Sequence, residues 1–131
     1  MNKNSKEDNS LIREAFKALK NSRSPHSKFK VGAALLSSKG KIYPGTNVEF
    51  DAFTLTVCAE RSALFNAISN GERDFIKIAI ATNSTDFKFP CGLCRQAFIE
   101  FNPDLEIILL NKNKKSKKII LKELLPEYFR L

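Results

Sequence analysis

The chemistry in this sequence is concentrated in its three cysteines and one glutamate, which fall in two short runs, Cys58-Ala59-Glu60 and Pro90-Cys91-Gly92-Leu93-Cys94. Cysteines at i and i+3 on a helix face the same way, so Cys91 and Cys94 can hold one metal ion, with Cys58 arriving from another helix. Thiolate donors of this kind suit zinc. Structural zinc is usually closed by four protein ligands, whereas a catalytic ion keeps a position for water, so a set of three favours catalysis. Three thiolates leave the site net negative, which weakens acidification of a bound water. A cation should offset this, and Arg61, ahead of Arg95, is the candidate to donate to the thiolates. Glu60 stands two residues past Cys58, close enough to reach that water without being a ligand, which suits a proton carrier. Each piece has a plainer reading: a redox or packed Cys-x-x-Cys pair, and a first-turn glutamate favoured by the helix dipole. Their joint occurrence is what argues for a metal centre.

Helix N-termini are needed to present these residues, because free N–H groups and the macrodipole stabilise thiolate there. Ser5 can cap a first helix in which Leu11, Ala15, Phe16 and Leu19 recur at helical spacing until a break at 22–25. Residues 29–37 read as an apolar strand, 38–40 as a turn and 41–48 as the return strand of a hairpin. Thr56 is placed to cap a second helix over 57–70, with Gly71 as its stop, so Cys58 and Glu60 fall in its first turn. Residues 75–82 form a central strand, 83–90 a loop and 91–101 a third helix. Two further strands are expected at 105–111 and 119–121, separated by a solvated turn that carries five lysines between 112 and 118. A terminal segment, 123–131, is interrupted at Pro126. The simplest layered solution is an α/β fold, a three-layer α-β-α sandwich around a mixed five-stranded sheet, in one domain over 1–131.

A chain of 131 residues can bury a single core without disulfide staples, and three cysteines cannot pair off, so the thiols are free for a metal. The polar opening lacks the apolar stretch of a signal peptide, and a cytoplasmic location is expected. Apolar runs such as 31–36 and 107–110 fall far short of the roughly 20 residues that span a bilayer, so no membrane partner is expected. The net charge of +8 could attract nucleic acid, but with so many lysines in one turn a solvated surface is the simpler reading, and no nucleic-acid partner is expected.

The two cysteine runs are similar to the zinc-binding signature of the base and nucleoside deaminases, in its three-cysteine version. Over about residues 10–129 the chain resembles the small cytidine deaminases. The runs that carry this are Ser27-Lys28-Phe29, Val31-Gly32-Ala33-Ala34-Leu35, Asn47-Val48-Glu49, Cys58-Ala59-Glu60-Arg61 and Glu123-Leu124-Leu125-Pro126. The resemblance implies one zinc per subunit on Cys58, Cys91 and Cys94, with hydrolytic attack at C4 of the cytosine ring. Glu60 would deliver protons to N3 and then to the departing amine, giving uridine or deoxyuridine and ammonia. It further implies that Asn47 and Glu49 bind the ribose 3′-hydroxyl, that Phe29 packs on the base and that Ala59 borders the substrate. Phe129 resembles an aromatic that reaches into a neighbouring subunit's site, and the small three-cysteine type is similar to the homotetrameric branch of the family.

The chain also departs from the family pattern. Glu49-Phe50-Asp51-Ala52-Phe53 replaces a run close to Glu-Asn-Ala-Ser-Tyr, which bears on contacts near the 5′-hydroxyl and the subunit boundary. His26 stands where tyrosine is common, Leu93 where a small residue often separates the cysteines, and Phe89 where serine or threonine precedes the proline. A more apolar pocket is expected, and His26 reads as a loop residue, not a ligand. Apart from the resemblance, Phe29 and Phe129 would read as packing among 11 phenylalanines, and Asn47 with Glu49 as a surface pair on one strand face. The nearest rival is a deaminase of blasticidin S or a modified cytosine nucleoside, against which Glu49 argues by suiting an ordinary ribose. Deamination of a base within nucleic acid is a second. A noncatalytic zinc- or nucleic-acid-binding module is a third, and it predicts salt-sensitive binding that Glu60→Gln leaves unchanged.

Overall fold

The first helix, α1 (Lys6–Leu19), begins as expected at Ser5, whose hydroxyl accepts from the Asp8 amide at 3.1 Å while the Ser5 amide donates to the Asp8 carboxylate at 3.2 Å. The computed structural model describes residues 4–131, so residues 1–3 of the expected domain lie outside the described residues. The chain continues through β1 (Val31–Ser37), β2 (Ile42–Thr46), a 3-10 turn at Phe53–Leu55, α2 (Ala59–Ser69), β3 (Phe75–Thr82), α3 (Gly92–Ile99), β4 (Glu106–Leu110) and β5 (Ser116–Ile120). A second 3-10 turn, Leu121–Leu124, follows. The sheet order is β2-β1-β3-β4-β5, with β3 and β4 parallel and the other neighbours antiparallel, which is the expected mixed five-stranded sheet.

Both sheet faces are covered. Alternate residues of β1 and β4 point opposite ways: Val31, Ala33, Leu35, Ile107 and Leu109 pack with α2 and α3, whereas Ala34, Leu36, Ile108 and Leu110 pack with Leu11 and Ala15 of α1. This burial on two sides explains why β1 is buried along its whole length and reads as an apolar run without alternation. Two glycines set how closely the helices approach. A Cβ on Gly32 would lie 2.1 Å from the Ala15 carbonyl oxygen of α1, and one on Gly45 would lie 2.2 Å from the Ala63 amide nitrogen of α2. Among the described residues no helix is long and apolar enough to cross a membrane.

Three boundaries differ from the sequence reading. The cap of α2 is Cys58, not Thr56: Val57 pairs with Val48 in a β-bridge and is therefore extended, and the Thr56 hydroxyl instead accepts from the Phe50 amide at 3.2 Å. Likewise Cys91 is the cap of α3, one position outside the helix in which it was expected. The lysine run is not wholly a solvated turn, because β5 starts at Ser116 and takes in its last two lysines. The ammonium of Lys118 lies 2.7 Å from the buried Asp8 carboxylate, which also holds Lys77 of β3 at 2.9 Å. Pairing of β5 with β4 thus draws the end of the lysine run under α1.

Candidate active site

The caps of α2 and α3 bring the three thiols together. Cys58 Sγ and Cys91 Sγ are 3.6 Å apart, as are Cys91 Sγ and Cys94 Sγ, and all three lie within 4.8 Å of one another. Tetrahedral zinc with roughly 2.3 Å bonds sets neighbouring sulfurs about 3.8 Å apart, close to this spacing, whereas a disulfide needs about 2.05 Å. Neither cap sulfur accepts a capping hydrogen bond from the backbone of its helix, so both remain available to a metal. The donor set and its spacing fit one zinc ion.

Charge at the trio is organised before any metal arrives. The Cys94 thiol donates to Cys58 and this, opposed by burial and helped by Arg61 and Cys91, lowers the Cys58 pKa to about 5. Donation to Cys58, together with burial, pushes the Cys94 thiol up. Arg61 Nη2 donates to Cys58 Sγ at 3.7 Å, and its buried Nε has no hydrogen-bond partner. Glu60 follows in the first turn of α2 and is only 6% exposed. Burial raises its pKa to about 7; the negative charge on Cys58 adds to the rise, while its own amide and Arg61 oppose it.

Glu60, Cys58 and Cys91 form one side of a cavity of about 290 Å³ also lined by Phe29, Asn47, Glu49 and Ala59. Residues 5–110 match the family described as the cytidine and deoxycytidylate deaminase zinc-binding region. The chain belongs to this deaminase family. A cytidine deaminase from Halalkalibacterium halodurans is 42% identical over 120 residues, covering 91% of each chain. The crystal structure of a cytidine deaminase from Burkholderia pseudomallei is similar at a TM-score of 0.88 and 40% identity, covering 92% of this chain and 98% of that one. A cytidine deaminase from Mycobacterium tuberculosis gives a TM-score of 0.80 at 32% identity, over 94% and 97% of the respective chains. The three-layer fold and its mixed sheet are therefore those of the deaminase family.

Within this deaminase fold the sequence-predicted residues divide by position. Asn47 and Glu49 lie just beyond β2, flanking Val48, which bridges to both Arg23 and Val57. Both line the cavity, so the expected shared face survives although the strand ends earlier. Asn47 Oδ1 accepts from the Val31 amide at 3.0 Å and from the Ser22 hydroxyl, and Nδ2 donates to the Phe29 carbonyl at 2.7 Å. One Nδ2 hydrogen remains for a ligand. Glu49 Oε1 accepts from the amides of His26 at 2.9 Å and Ser27 at 3.1 Å, while Oε2 accepts from the Ser27 hydroxyl. These bonds, chiefly those from Ser27, lower its pKa and keep a carboxylate at the cavity. Phe129 lies outside the cavity of its own chain, strongly exposed, with its carbonyl accepting from Gln96 at 3.0 Å.

Three of the departures, His26, Asp51 and Phe53, meet one another, and Phe50 meets Arg23. His26 Nε2 is 3.1 Å from Asp51, its ring meets Phe53 edge-on at 5.2 Å, and Arg23 covers Phe50 at 5.8 Å from the ring centroid. His26 is thus a loop residue apart from the thiols, as expected. Phe89 and Lys88 line the cavity, Phe89 adding the expected apolar surface. Sequence reasoning missed Lys88, Ser22 and Asn83. A lone lysine, serine or asparagine in a loop carries no spacing signal, and only the tertiary contacts reveal them.

Proposed function

We propose that the chain is a zinc-dependent hydrolytic deaminase that converts cytidine and 2′-deoxycytidine to uridine and 2′-deoxyuridine with release of ammonia. The observation that carries this reading is the convergence of three metal-spaced thiols and a buried glutamate on one cavity. Its volume, about 290 Å³, is at the small end of small-molecule pockets and suits a single nucleoside.

Cys58, Cys91 and Cys94 would hold zinc, whose Lewis acidity would make the attacking water more acidic. Glu60, poised near neutrality, takes a proton from the attacking water and delivers it to N3 of the ring as the C4–O bond forms. It then carries the second proton to the exocyclic amine, so that the C4–N bond breaks with ammonia as the leaving group. Arg61 offsets the charge of the thiolates. Phe29 packs on the base and Ala59 borders it. The Glu49 carboxylate accepts from the ribose 3′-hydroxyl, and Asn47 donates to that oxygen through its remaining N–H.

The same reading makes residues 1–131 one deaminase domain of a cytoplasmic homotetramer in pyrimidine salvage, with Phe129 of one subunit completing a neighbour's site. Phe53, Leu55, Leu93 and Phe129, each more than half exposed, support an assembled form. The deciding experiment follows the ultraviolet band of cytidine, deoxycytidine and blasticidin S with zinc-replete protein and a Glu60→Gln control. Loss of the nucleoside bands that requires Glu60 is expected. Turnover of blasticidin S alone would reassign the substrate, and no turnover of any of them would overturn the deaminase reading.

A further inference from the structure

From the backbone contacts of residues 28–31 we infer that Asn83 is a positioning residue for the substrate-facing side chain of Phe29; this rests on the deaminase reading above. Regular pairing of β1 with β3 ends at Val31 and Thr82. Asn83 extends it by one residue through its side chain. Its amide donates to the Lys30 carbonyl at 3.2 Å, and its Oδ1 accepts from the Lys30 amide at 3.0 Å. Its Nδ2 donates to the Lys28 carbonyl at 3.0 Å. From the other side Asn47 takes the Phe29 carbonyl and the Val31 amide. The Phe29 amide donates to the Ser27 hydroxyl at 3.0 Å.

Every backbone polar group from the Lys28 carbonyl to the Val31 amide is therefore bonded, and two asparagines make most of those bonds. The arrangement has something to restrain. Lys28 has φ of 59°, a left-handed conformation that a residue with a Cβ adopts at a cost, and it turns the chain immediately before Phe29. The Lys28 amide is held by the Ser24 carbonyl at 3.0 Å, but the Lys28 carbonyl, which leads into Phe29, is held by Asn83, so losing that bond lets the Phe29 ring shift. Asn47 lines the cavity itself, so its loss mixes contact with positioning; Asn83 does not line it and acts only through the segment.

Packing on the base is present in ground state and transition state alike, so misplacing Phe29 raises KM and leaves kcat nearly unchanged. Asn83→Ala is expected to raise KM for cytidine by roughly three- to tenfold, with zinc content unaltered. The test is a double-mutant cycle with Phe29→Ala. If Asn83 acts through Phe29, Asn83→Ala has its effect in the wild type and almost none once Phe29 is alanine. Asn83→Asp, which still accepts from Lys30 but cannot donate to Lys28, should shift KM in the same direction and serves if the alanine variant folds poorly. An unchanged KM, a loss confined to kcat, or equal effects in both Phe29 backgrounds would overturn the inference while leaving the deaminase reading intact. A wild type that fails to turn over cytidine overturns both.

Discussion

Glu60 and Arg61 are neighbours in sequence with different surroundings, because one lines the cavity and the other faces the Cys58 sulfur. Glu60→Gln keeps nearly the same shape but cannot carry protons. Turnover should fall by about two to four orders of magnitude while zinc content, read by atomic absorption, stays at one per chain. Arg61→Ala should act on the metal instead, weakening zinc binding roughly 10- to 100-fold in competition with a chromogenic chelator. The thiols also set a pH dependence. Because the Cys94 thiol is pushed up, zinc must displace its proton, so apparent affinity should fall as pH falls and binding should release protons into a weakly buffered solution. An affinity independent of pH would contradict thiolate ligation.

Among the elements, α1 is fastened across the sheet by Asp8, which grips Lys77 of β3 and Lys118 of β5. Burial alone would raise the Asp8 pKa, but hydrogen bonds from Lys118, Lys77 and the Ser5 amide outweigh it and lower the value to about 2. The folded value lies below the unfolded one of about 3.9, so this contribution is fully present above pH 4 or so and disappears as pH falls through about 2. Its size is roughly 2 kcal/mol. Urea unfolding of wild type and Asp8→Asn should therefore differ at neutral pH and converge across that acid window. The two close-approach glycines predict a contrast between helices. Gly32→Ala presses on the Ala15 and Leu19 backbone of α1, and Gly45→Ala on the Ala59 and Ala63 backbone of α2. Both should lower the melting temperature, but only Gly45→Ala, which displaces the helix carrying Cys58 and Glu60, should also weaken zinc binding.

For the whole molecule, the exposed apolar side chains and the position of Phe129 bear on assembly. Light scattering should give about four times the 14.8 kDa chain mass. Phe129→Ala should reduce kcat/KM without reducing zinc content, because in the proposed tetramer its side chain completes a neighbour's cavity. A fully active monomer would contradict the tetramer proposal. Cytidine is uncharged and gains little from the chain's net charge of +8, so its turnover should vary little between low and moderate salt.

By itself the sequence determined the family, the zinc-binding cysteines and the order of elements. Cysteine spacing, helix caps and apolar runs are local signals, and Cys58, Glu60, Cys91 and Cys94 lie where such signals are strong. The cap of α2 was misplaced by two residues because the bridge that keeps Val57 extended joins it to Val48, a contact no local pattern records. The lysine run was misread for a related reason: the partner of Lys118 is Asp8, at the other end of the chain. Tertiary structure alone decided which polar groups Asn47 keeps for a ligand and that Asn83 backs the Phe29 segment. It alone decided that burial beside a thiolate brings Glu60 to the neutral range. Each depends on what packs against the residue, and long-range packing in this sheet joins segments that local patterns treat separately.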